Sequence, residues 1–193
     1  MKPEKGTGPG VPFSALVLWR EAGRQIRLET RGFSMRPLIE PGDEITIQLM
    51  EPDALRIGDL MAFWNGNTIV VHRLVKKRRS ENGRWYCEKA DALPGWNWVD
   101  EEFVLGRVVC LQGSKGRLRA GGWPWTWINP AVGLTLSVCV TLVEKVHASR
   151  PRMPEKRSGL LKSIEGFLLE VCTWIYQAVL TLLLCAVRFC RIR

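Results

Sequence analysis

A chain of 193 residues, 46% hydrophobic and 24% charged, has the composition of a globular protein and is long enough for one medium domain with appendages. A net charge of +9 favours acidic partners, either nucleic acid or an anionic membrane surface, without choosing between them. The six cysteines show no C-x-x-C spacing and only two histidines, His72 and His147, accompany them, which argues against a zinc site of the usual kind and for reduced, buried thiols in a cytosolic environment.

No secretory signal is expected at the start, and residues 1–12, rich in Gly, Pro and Lys, read as a disordered tail. Ser14 can cap a short helix carrying Phe13, Leu16, Val17 and Trp19 and ending near Gly23. Residues 25–31 alternate strictly and predict a strand, as do residues 44–48. Between them Gly32, Pro37, Pro41 and Gly42 punctuate a corner that carries Ser34. Ile57-Gly58-Asp59 is a second turn. Asn65-Gly66-Asn67, set between the apolar runs 60–64 and 68–75, predicts a hairpin. Lys76-Lys77-Arg78-Arg79 reads as a solvated loop. Residues 84–88 and 103–111 predict further strands, with a turn at Lys115-Gly116 into Arg117-Leu118.

The character changes at Trp123-Pro124-Trp125. Ala131–Val143 is an uncharged apolar run of 13 residues, a length that suits a buried or interfacial helix better than a span. Residues 149–158 form a basic linker, and Leu160–Val187 is apolar with helical spacing. Within it Val171–Val187 carries no charge over 17 residues, the lower limit for a span, and Arg188, Arg191 and Arg193 follow. The expectation is a mainly antiparallel β domain over 13–122 with a short N-terminal helix, followed by a helical region over 123–193. Its part from 160 to 193 is offered as a membrane-facing tail, with two helices covering the β domain as the alternative.

His72 is the one histidine of the β region and lies in an otherwise apolar strand. An imidazole titrating near neutrality suits the task of taking a proton from a serine hydroxyl such as that of Ser34. A carboxylate would hold the ring's tautomer, and Asp91 and Asp100 are the candidates considered. No metal or cofactor is expected.

Gly32-Phe33-Ser34-Met35-Arg36-Pro37 resembles the serine box of type I signal peptidases and of the related self-cleaving LexA-type repressors. Gly42-Asp43, Ile57-Gly58-Asp59 and Val70-Val71-His72-Arg73 follow in that superfamily's order, so the resemblance runs from about Leu18 to Val109. It implies a signal-peptidase-like β fold and serine peptidase activity. The second catalytic residue falls at His72, as in the archaeal and endoplasmic-reticulum type, where most bacterial enzymes carry lysine. Lys89-Ala90-Asp91 matches the supporting Gly-Asp box with Ala in place of Gly, and this makes Asp91 the implied partner of His72. The position two before the serine, which in some members adds a hydroxyl to the oxyanion hole, is Gly32 here.

The function expected is that of a serine endopeptidase cleaving a leader or precursor peptide, acting in the cytoplasm or at the cytoplasmic face of a membrane through Ser34, His72 and Asp91. The alternative is a catalytically inert peptide-binding module of the same fold. A self-cleaving DNA-binding regulator is disfavoured, because only 33 residues precede Ser34, too few for a helix-turn-helix domain and linker. No nucleic-acid partner is expected.

Overall fold

The computed structural model describes residues 11–81, 83–113, 116–119 and 125–149, together with the single positions 167, 170, 174 and 181. The chain is mainly antiparallel β, with a short helix before the sheet and a long one after it. Helix α1 (Phe13–Glu21) leads into strands β1 (Gln25–Glu29), β2 (Glu44–Leu49), β3 (Leu60–Trp64), β4 (Ile69–Ser80), β5 (Gly83–Lys89), β6 (Asn97–Asp100), β7 (Val104–Gly113) and β8 (Gly116–Arg119). Helix α2 spans Trp125–Ser149. The strands form one sheet in the order β1-β2-β7-β3-β4-β5-β6, with β8 paired to β7.

Alternation in the sequence becomes alternation in burial. In β2 Ile45, Ile47 and Leu49 are buried while Glu44, Thr46 and Gln48 are half-exposed. β3 lies between β4 and β7, and Leu60–Phe63 are buried throughout, as expected of an interior strand. The core divides into two clusters. The larger joins Ile47, Leu49, Ala62, Val75, Cys87 and Leu105 to Met35, Leu38 and Ile39 of the serine corner. The smaller gathers Leu55, Met61, Phe63, Leu74, Tyr86, Val99 and Val104.

The corner between β1 and β2 is closed at its base. Thr30 donates its N–H to Asp43 O at 2.8 Å and its hydroxyl to Glu40 O at 2.6 Å. Gly42 N–H returns a bond to Thr30 O at 2.7 Å, with Gly42 at φ +86°, an angle that favours glycine. Glu40 N–H donates to the buried Asp43 carboxylate at 2.8 Å. With three apolar anchors below and these bonds at the neck, Ser34 stands on a fixed platform.

α2 is laid along the sheet. Trp125, Asn129, Val132, Leu136, Val140 and Val143 are buried at spacings of three and four, which is one helical stripe. Its first turns press on the 57–59 turn: a Cβ on Gly58 (φ +96°) would lie 2.2 Å from Asn129 O, and one on Gly133 would lie 2.4 Å from Gly58 Cα. Near its other end Glu144 pairs with Lys76 of β4 at 2.6 Å. The outward side carries Leu134, Val138 and Leu142, all more than half exposed. Ile128–Lys145 within this helix is long and apolar enough to cross a membrane by length and composition, and a third of it is buried against the fold.

Three expectations are corrected. Ser14 does not cap α1: the N-cap is Pro12, with no side-chain cap bond, and Ser14 lies inside the helix. Lys76–Arg79 is strand, the outer half of β4, paired to Cys87–Arg84 of β5. The charges find partners on either side of the ribbon, Lys76 with Glu144, Lys77 on the Leu55 carbonyl at 2.5 Å, and Arg78 over the Trp98 ring at 4.6 Å. Cross-strand pairing thus overrides the preference of a charge run for a loop. A further strand that alternation does not predict, β6, pairs with β5 through Asn97–Asp100. The N-terminal tail up to residue 10, Trp123-Pro124, residues 150–158 of the basic linker and nearly all of Leu160–Val187 lie outside the described residues. Phe167, Glu170, Trp174 and Thr181 are described, and each is helical and exposed.

Candidate active site

His72 lies on β4 opposite Met61 of β3, with Phe63 edge-on to its ring at 5.9 Å between centroids. Its Nε2 is 3.1 Å from Ser34 Oγ, across 38 positions of chain. Its Nδ1 is 2.6 Å from Glu88 Oε2. A carboxylate anion can only accept, so the tautomer of a neutral ring that this contact favours has the proton on Nδ1 and the Nε2 lone pair facing the serine hydroxyl. This is the tautomer a general base requires. Glu88 is buried, and its second oxygen accepts from Asn97 Nδ2 of β6 at 2.8 Å. Both carboxylate oxygens are therefore engaged, and the ring has a fixed support.

Ser34 and His72 are brought together as the sequence suggested. Asp91 is not the residue that holds the ring. It is fully buried and forms a two-pronged pair with Arg73, with Nε to Oδ1 at 2.9 Å and Nη2 to Oδ2 at 2.7 Å. The reason is the pleat. Arg73 is opposite Lys89 and Leu74 is opposite Glu88, so Glu88 shares the face of His72 and Leu74, whereas Asp91 continues the face of Arg73. Asp100 is elsewhere again: its carboxylate accepts from Glu102 N–H at 3.3 Å, capping a single helical turn. Glu88 was missed because a glutamate in an alternating strand carries no turn or box signature. Its even spacing from His72 across a hairpin was the one available signal, and it needed the register to be read.

The Arg73–Asp91 pair serves the site from behind. Arg73 Nη1 also donates to Gly58 O at 2.9 Å and to Asn129 Oδ1 of α2, so one buried guanidinium joins β4, the 57–59 turn, α2 and the loop after β5. That loop in turn supports the nucleophile, with Ala92 N–H donating to Ser34 O at 2.8 Å. Buried Lys89 adds bonds from Nζ to Ala90 O at 3.1 Å and Leu93 O at 2.8 Å. Gly32 leaves space beside the hydroxyl: a Cβ there would meet Ser34 Oγ at 4.0 Å and nothing closer.

Among the described residues no group of three or more His, Cys, Asp or Glu side chains is arranged to hold a metal ion. The arrangement can do nucleophilic chemistry at Ser34 with proton transfer through His72. No protein-family model matches the chain, and a search of curated proteins finds no match to it.

Proposed function

We propose that the protein is a serine endopeptidase in which Ser34 is the nucleophile, His72 the general base and acid, and Glu88 the carboxylate that orients His72. The observation that carries this reading is the hydrogen-bonded line Ser34 Oγ, His72 Nε2, His72 Nδ1, Glu88 Oε2, at 3.1 and 2.6 Å. Ser34 Oγ attacks the scissile carbonyl carbon as its proton passes to Nε2. The imidazolium so formed is stabilised by Glu88 and gives that proton to the departing amine, leaving an ester on Ser34. Water, deprotonated by the same Nε2, then releases the carboxylate product and restores the serine. The resemblance of the serine, Gly-Asp and histidine boxes to signal peptidases supports a peptide as substrate, a leader or precursor segment.

The test is labelling with a fluorophosphonate probe followed by peptide mapping. Covalent modification confined to Ser34, and lost in His72→Ala, is expected. An unmodified protein, or one labelled equally well in Ser34→Ala, overturns the assignment and leaves a peptide-binding module.

The finer location belongs to the same proposal: the catalytic domain sits at the cytoplasmic face of a membrane. Support comes from the outward stripe of α2, from exposed Phe167 and Trp174, and from Arg188, Arg191 and Arg193 beside an apolar run. Because α2 is tied to the sheet at Asn129 and Glu144, it meets a bilayer along its length.

A further inference from the structure

Of the large apolar side chains left more than half exposed among the described residues, two belong to segments joined directly to the serine. Phe33 precedes it and is 59% exposed, and Leu93, on the loop bonded to Ser34 O, is 52% exposed. Neither is a loose surface residue. The Phe33 ring is covered on one side by the Arg36 guanidinium at 4.5 Å, and Arg36 is itself held by Glu40 at 2.5 Å. Leu93 sits on a segment fixed by Asp91 to Arg73, by Lys89 Nζ to the Leu93 carbonyl, and by Ala92 to Ser34. Three buried charged side chains, Arg73, Lys89 and Asp91, thus fix the segment that carries a leucine facing water. Ordering an exposed apolar side chain gains nothing for the fold, whereas a surface already ordered beside a nucleophile binds an apolar group without further entropy loss.

We infer that Phe33 and Leu93 form an apolar subsite, and that the substrate is a peptide with a bulky aliphatic or aromatic side chain next to the scissile bond. The inference rests on the hydrolase reading above. In the acylation step such a side chain leaves water and packs on these apolar surfaces while the reacting carbonyl meets Ser34 Oγ. Arg36 and Glu40 form the polar rim.

The probes are p-nitrophenyl acetate and p-nitrophenyl hexanoate, which differ in the length of the apolar acyl group delivered to Ser34. The wild-type protein is expected to favour the hexanoyl ester in kcat/KM by about tenfold, at the lower end of what a hydrophobic pocket discriminates because the subsite is half open. Phe33→Ser with Leu93→Ser removes that preference, mostly through KM, and each single change removes part of it. Leu18→Ser, at a still more exposed leucine on α1, keeps it. Thermal midpoints confirm folding, and the single variants decide the matter if the double variant fails to fold. Ser34-dependent turnover with an unaltered ester ratio in these variants overturns the subsite and leaves the hydrolase reading standing. Absence of Ser34-dependent turnover of both esters overturns the hydrolase reading, and the subsite with it.

Discussion

At the scale of single residues, two carboxylates of β5 and its following loop have opposite duties. Glu88→Gln keeps the size of the side chain but offers Nδ1 an amide in place of a charge. The expected fall in kcat is about 10³- to 10⁴-fold, with little change in thermal midpoint. Asp91→Asn leaves the Arg73 guanidinium buried without its counter-charge, and the expected loss is about 3–5 kcal/mol of stability, read from denaturant unfolding. Reversal of the two outcomes, with Asp91→Asn stable but inactive and Glu88→Gln active, would return the orienting role to Asp91. Cys87 gives a separate check on burial. Desolvation, with the Glu144 and Glu88 charges adding to it, pushes its thiol up to about 12, so almost no thiolate exists at pH 8. Iodoacetamide at pH 8 should leave Cys87 unmodified in the folded protein and modify it fully in urea, as followed by peptide mass mapping. Modification in the native state would contradict the burial of Cys87 in the core.

At the scale of elements, the contact between α2 and the 57–59 turn is held by glycines facing backbone. Gly58 and Gly66 offer a matched comparison, with φ +96° and +95°. Nothing lies within 4 Å of a Cβ on Gly66, so Gly66→Ala carries only the conformational cost of about 1–2 kcal/mol. Gly58→Ala carries that cost and also forces Asn129 O away, adding about 1–3 kcal/mol. Equal unfolding free energies for the two variants would show that α2 does not rest on the turn. The β4–β5 ribbon teaches a related lesson. A register shift between Leu74 and Lys76 brings Lys76 to the same side as Arg73, so that both reach α2, while His72 keeps its own side with Glu88. One irregularity in one strand thus sorts the Lys76 cation, which reaches α2, from the imidazole that faces Ser34.

At the scale of the whole molecule, the sheet, α2 and the serine corner share one core, and the outward stripe of α2 is left to something other than the fold. Membrane association predicts that the full chain pellets with membranes in low salt and is released by detergent. Serine at Leu134, Val138 and Leu142 together should move a measurable share to the supernatant. Full recovery of the unaltered protein in the supernatant without detergent contradicts the membrane location and leaves the proposed active site untouched.

The sequence by itself determined the β-rich architecture and the Ser34–His72 pairing. Alternation, the Asn-Gly turn and the punctuation around Ser34 are local, and the ordered boxes carried the rest. It did not determine the third member of the site. That choice depended on register, since a strand turns every second side chain to the same face and one step along β5 separates support of the ring from support of the loop behind it. Nor could charge alone tell that Lys76–Arg79 is strand, because what stabilises those residues there is a partner strand, an aromatic ring and a carboxylate 68 positions away. The hold on the Leu93 segment is likewise tertiary: its groups come from β4, β5 and the loop itself, and only folding brings them to one place.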